Sequence, residues 1–131
     1  MRYLSMVRIN EKAGVVPSPK LMEDMGKLIQ ELTKEGSLVS TAGLKPTAEG
    51  KRVRLAHGKL TTTDGPFVET KEVIGGFAIL NYANHDQAIE GARRVMEIHA
   101  QHGFTDLEIE LRPMMEDPNC GAQARQQASA A

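Results

Sequence analysis

Thr63-Asp64-Gly65-Pro66-Phe67-Val68-Glu69-Thr70-Lys71-Glu72-Val73-Ile74-Gly75-Gly76-Phe77 is the stretch around which the chain is arranged. Asp64-Gly65-Pro66 is a strong turn signal with a carboxylate at its shoulder. Glu69, Lys71 and Glu72 put three charges into four residues, and Gly75-Gly76 closes the stretch before an apolar, strand-like run. A plain surface loop has little use for Phe67, Val68, Val73 and Ile74. Anchoring side chains mixed with ionisable ones describe a loop held rigid to present polar groups.

The same residues carry a family resemblance. Asp64-Gly65-Pro66-Phe67, Glu69-Thr70-Lys71-Glu72 and Gly75-Gly76 resemble the signature of the DGPF proteins, a branch of the YCII-related families. Gly43-Leu44 upstream and Ile109-Glu110-Leu111-Arg112-Pro113 downstream fit the same pattern, so the resemblance runs in order from Arg2 to Pro113. It implies an α+β, ferredoxin-like fold, paired into a dimeric α+β barrel. It implies no particular reaction, because one fold hosts many activities. Some DGPF relatives are encoded beside, or fused to, extracytoplasmic-function sigma factors, so a link to such a factor is also implied.

Outward from that stretch, residue patterning gives the same architecture. In Arg2–Ile9, Tyr3, Ser5, Val7 and Ile9 share one face and Leu4, Met6 and Arg8 the other, as in a central strand covered on both sides. Ser18-Pro19 is a helix start, with Ser as N-cap and Pro where its missing N–H costs nothing. Leu21, Met25, Leu28 and Leu32 then recur at helical spacing, and Gly36 supplies the stop, predicting a helix over Pro19–Glu35. Leu38–Leu44 reads as a strand. Val53–Leu55 and Leu60–Thr63 are short strands around His57-Gly58, a pair resembling the Asn-Gly hairpin turn. Gly76–Tyr82 alternates as a strand. Asn84 with Gln87 makes a capping-box-like start for a second helix that Gly103 ends. Leu107–Arg112 alternates as a last, half-buried strand.

The order is β-α-β, an inserted hairpin, then β-α-β: a split βαβ sheet with two helices on one face. No third long helix is left to cover the other face. Pairing two such sheets buries both, and a homodimer is therefore expected. The domain is read as residues 1–115. Residues 116–131 form a flexible C-terminal tail, whose Pro118–Ala131 portion has no core pattern.

Composition bounds the rest. A chain of 131 residues is one domain, and at that size roughly two thirds of the unfolded surface can be buried. A formal net charge of −1 gives no electrostatic case for nucleic acid or anionic membrane. No apolar run approaches the ~20 residues of a membrane span. Arg8 and Asn10 interrupt the only apolar stretch near the start, so no signal-peptide layout is present and a cytoplasmic location is expected. The single cysteine, Cys120, excludes an intramolecular disulfide.

Asp64 is the leading candidate for chemistry, either as a positioned general acid or base or as the carboxylate of an Asx-turn. Around it, Gly65, Pro66 and Phe67 form the turn. In an extended segment Glu69 and Lys71 point one way and Glu72 the other, as a solvated cluster or as part of a substrate site with Arg54. Lys71 or Arg54 would hold a polar substrate, and Lys71 is also the candidate counter-charge for Asp64. His57, at the hairpin tip, is a weaker catalytic candidate that a folded hairpin would bring toward Asp64. Gly75-Gly76 reads as a ligand approach or, more commonly, a bulge. His99 and His102 have metal-binding spacing but no third ligand, and contact with the helix C-terminal dipole is the simpler reading. No metal, cofactor or nucleotide loop is expected. Two readings stay open. One is a small-molecule site at the Asp64 turn, with or without acid–base chemistry; the other is a non-catalytic regulatory or interaction module. A concave pocket containing Asp64 would favour the first, an exposed apolar patch the second.

Overall fold

A computed structural model describes residues 1–11, 17–67 and 73–116. The elements run β1 (Arg2–Ile9), α1 (Pro19–Lys34), β2 (Leu38–Gly43), a short 3-10 helix (Thr47–Glu49), β3 (Lys51–Ala56), β4 (Lys59–Asp64), β5 (Val73–Asn81), α2 (His85–Gln101) and β6 (Glu108–Pro113). The main sheet has the order β2-β5-β1-β6, and every neighbouring pair is antiparallel. The strands β3 and β4 form a separate two-stranded sheet. This is the expected ferredoxin-like α+β arrangement with an inserted hairpin.

Both helices are stopped and started by local chemistry. In α1 the Ser18 hydroxyl accepts from the Leu21 N–H at 3.1 Å. At its end Gly36 takes φ +77°, the Gly36 N–H donates to Thr33 and the Ser37 N–H to Leu32. That pair of bonds is a Schellman stop. In α2 the Asn84 Oδ1 accepts from the Gln87 N–H, and the Gln87 Oε1 reaches back to the Ala83 N–H. A second Schellman stop closes α2 through Gly103 and Phe104. In the β3–β4 turn His57 has φ 52° and Gly58 φ 76°, the two positive values a two-residue hairpin of the primed type requires.

Register decides which side chains meet the helices. Tyr3 stands opposite Leu80, Ser5 opposite Ala78 and Leu111, and Val7 opposite Gly76 and Ile109. The core gathers at one end of this face, where Leu28 and Leu32 of α1 bury against Leu80, with Met25, Leu38, Tyr82, Val95 and Ile98 packed around them. Each leucine taken fully out of water contributes ~1.5–3 kcal/mol. The helices are tied at two heights, by Arg94 to Glu31 at 2.6 Å and by His102 Nε2 to Asp24 at 2.7 Å. The second bond, with Lys20 adding to it, holds the Asp24 carboxyl below its usual pKa.

On the far face Leu4 pairs with Ile79 and Met6 with Phe77, flanked by Arg112 and Glu110 of β6. No described element covers these residues. The strand β5 begins three residues before the expected Gly76, because Gly75 is accommodated as a bulge: Val7 pairs with Gly76, but Arg8 already pairs with Ile74. Among the described residues no helix is long and apolar enough to cross a membrane.

Candidate functional site

The Asp64-Gly65-Pro66-Phe67 turn packs as a latch. Gly65 donates its N–H to the Gly50 carbonyl at 2.9 Å, and a Cβ built on Gly65 would lie 1.7 Å from the Thr47 carbonyl oxygen. Only glycine fits there. The Gly65–Pro66 peptide is cis. The Arg52 guanidinium stacks 3.8 Å from the centre of the Phe67 ring. On the far side of the 3-10 helix, Thr47 donates from its N–H and its hydroxyl to the two carboxylate oxygens of Glu11, at 3.1 and 2.6 Å. The signature thus fastens the hairpin base to the 3-10 helix, and the 3-10 helix to the end of β1.

Asp64 itself is exposed, and its Oδ1 accepts from Lys51 Nζ at 2.6 Å. An Asx-turn would need an N–H two residues on, and that residue is Pro66, which has none. The counter-charge is Lys51, its register partner across the hairpin, where sequence spacing pointed to Lys71. Glu69, Lys71 and Glu72 lie outside the described residues, as does Cys120. The hairpin holds His57 away from Asp64, not near it. His57 is at the tip and Asp64 at the base, with β4 running ~17 Å between them. Arg54 projects from the opposite hairpin face to Asp64, since alternate residues of β3 face opposite ways and it is Lys51 that pairs with Asp64.

A larger feature lies next to the latch. Between the sheet and the helices is a cavity of about 800 Å³, lined from Val7, Ile9 and Gly76, where β1 finishes and α1 begins, along to Leu28, Leu32 and Leu80. Its rim carries Asn10, Glu11, Lys45 and Asp106, and its walls are mostly apolar. Asp64, Gly65, Pro66, Phe67, Arg54 and His57 are not among its described lining residues. Glu11 belongs both to the rim and to the latch.

The space exists because the side chains there are small. Gly43, Gly75, Gly76, Ala78 and Ser5 form its floor and Gly91 and Ala92 part of its roof. Ser5, Tyr82 and His99 are among the polar residues of its walls. Ser5 is buried in the middle of β1. Tyr82 has an inaccessible hydroxyl with no hydrogen-bond partner, and burial pushes its pKa up. His99 places Nδ1 2.8 Å from the Val95 carbonyl. A carbonyl only accepts, so Nδ1 carries the hydrogen; in the neutral form of the ring Nε2 is then the acceptor. Sequence reading put Ser5 on one face of the strand with Tyr3, Val7 and Ile9 and did not single it out; the signal it carried was a lone hydroxyl in an apolar row. Among the described residues no three His, Cys, Asp or Glu side chains come together as a metal site.

Comparison with known proteins gives three findings. A family model described as the YCII-related domain matches residues 1–110. An uncharacterized protein of Rhizobium meliloti (strain 1021) is 30% identical over 95 residues, 72% of this chain and 73% of that protein. A solved structure titled "Structural Genomics, protein YJCS" is similar over 87% of this chain and 98% of that chain, at 10% identity and a TM-score of 0.38.

Proposed function

This chain belongs to the YCII-related family, and from that premise we propose that it binds a small molecule in the open end of the space between sheet and helices, beside the Asp64-Gly65-Pro66-Phe67 latch. The observation that carries this reading is the cavity of about 800 Å³ with mostly apolar walls and a polar rim. That volume falls in the ~300–1,000 Å³ range of ligand sites, and a few polar groups on apolar walls are their usual lining. The latch is the supporting structure: it fixes Glu11 at the rim through Thr47. Acid–base chemistry at Asp64 is a narrower version of the proposal, in which a polar part of the ligand extends past the rim to that carboxylate.

The test is a fluorescence titration with phenylnaphthylamine, a neutral apolar probe. The wild-type chain should bind it, and Ala78→Leu, which fills the floor, should weaken binding at least tenfold with the helical circular dichroism retained. A folded wild-type chain that leaves the probe in water would end the proposal. Once a turned-over ligand is known, a loss of ~10²–10⁴-fold in Asp64→Asn would establish the acid–base version.

A second reading is favoured by a different observation. Val53, Leu55 and Leu60 lie on one face of the hairpin, each about 70% exposed or more, and Leu55 and Leu60 are register partners. Such an apolar strip fits a protein contact. In this reading the strip and the far sheet face serve a homodimer or a regulatory partner such as an extracytoplasmic-function sigma factor. Light scattering separates the cases: a wild-type dimer that Leu55→Glu dissociates favours a second copy, and a micromolar monomer removes it.

A further inference from the structure

We infer that the ligand is a neutral, elongated and mostly apolar molecule with one oxygen function, a ketone, ester, ether or alcohol, taken in as far as Ser5; this rests on the cavity reading above. Ser5 is only 7% exposed and lines the cavity. Its hydroxyl has no hydrogen bond among the described residues, while its neighbours on that face of β1, Tyr3 and Val7, and its register partners Ala78 and Leu111 are aromatic or aliphatic. The Ser5 hydroxyl is not one of the buried polar atoms cut off from solvent, so it opens onto the cavity. A hydroxyl without a protein partner, set in an apolar row and open to the cavity, is the hydrogen-bonding group that this wall offers a ligand.

The surroundings narrow the chemistry. The cation among the described lining residues is Lys45, and it stands at the mouth beyond the end of β2. A carboxylate or phosphate at Ser5 would be buried without a counter-charge, so the oxygen at that depth is uncharged. Four residues of strand separate Ser5 from Ile9 at the mouth, ~13 Å of extended chain. A molecule that spans from rim to Ser5 is correspondingly long, and Gly76, Ala78 and Ala92 leave its path clear of side chains.

The experiment compares two ligands of similar shape, benzylacetone and butylbenzene, as competitors of bound phenylnaphthylamine. They share the ring and near-equal length and differ chiefly in the carbonyl. The readout is the ratio of their dissociation constants in wild type, Ser5→Ala and Ser5→Thr. One neutral hydrogen bond is worth about fivefold, so Ser5→Ala should shift the ratio about fivefold toward the hydrocarbon, and Ser5→Thr, which keeps a hydroxyl, should hold the wild-type ratio. A shift below twofold in Ser5→Ala overturns the inference and leaves the cavity reading standing. The same shift in both variants overturns it too, because the hydroxyl is then not what is recognised. If the wild-type chain binds no phenylnaphthylamine at all, the cavity reading fails first.

Discussion

The two ends of the space between sheet and helices are built from the same helices and strands, yet the cavity between them meets large side chains at one end and glycines of the sheet at the other. At the first end Leu28, Leu32 and Leu80 pack together under the Schellman stop of α1 and form the cavity wall there. At the other end β5 offers Gly75 and Gly76, β2 offers Gly43, and Val7 and Ile9 are only half-buried. Each end carries one register shift, at Leu38/Ser40 and at Val7/Arg8. Side-chain volume on the sheet differs between them, which leaves room for a ligand beside the glycines, while Leu21 of α1 keeps that end anchored.

The sharpest way to break that comparison is to truncate one residue at each end. Leu28→Ala should cost ~3 kcal/mol, within the range for a buried leucine whose cavity cannot collapse. Val7→Ala, facing space that is already open, should cost ~1 kcal/mol or less. Urea unfolding of both variants checks this. Equal losses would mean that the open end is packed as tightly as the closed one.

Gly65→Ala should come next, at ~2 kcal/mol. The new methyl overlaps the Thr47 carbonyl, and neither the turn nor the 3-10 helix can yield without losing the Gly65–Gly50 bond. Exchange of the Thr47 amide, bonded to Glu11, should speed up in the same variant. A neutral result would show that the latch is loose.

Tyr82→Phe should stabilise by ~1 kcal/mol, because it removes a buried hydroxyl without a partner. The pH dependence has a definite sign. Burial raises the pKa of Tyr82 in the folded state. The protonated phenol is thus favoured by folding, its contribution is complete below the unfolded value of ~10, and it is lost as pH rises through the higher folded value. Thermal melts near pH 10 and above should fall less steeply for the phenylalanine variant.

Asp64→Asn should have the smallest effect, within about 0.5 kcal/mol, since an exposed ion pair with Lys51 contributes ~0–1 kcal/mol. A larger loss would show that the hairpin base depends on this pair.

How far these contrasts could be read in advance depends on the range of the interactions. The helix caps at Ser18 and Asn84, the stops at Gly36 and Gly103 and the His57-Gly58 turn all act within a few residues, and the chain states them directly. The split βαβ arrangement followed from the succession β-α-β, hairpin, β-α-β, with β1 read as a central strand apolar on both faces. Lys51 as the partner of Asp64 depends on hairpin register thirteen residues apart, and spacing along the chain favoured Lys71 instead. The missing N–H of Pro66 stands in the sequence, yet the sequence reading kept the Asx-turn open because Asp before Gly is common in plain turns. The cavity was not legible, because it arises from small residues on four separate elements that only folding brings face to face. Ser5 is the intermediate case: the face it shares with Tyr3, Val7 and Ile9 was evident, its place on the cavity wall was not.

The most direct test of the open end is a crystal of the chain under xenon pressure. Xenon enters apolar space without forming hydrogen bonds, so it reports the space and not the chemistry. Strong density between Val7, Gly76 and α1 is the expected result. Density at neither end, with the side chains of the open end closed on one another, would contradict the claim that this fold keeps a ligand space beside its latch.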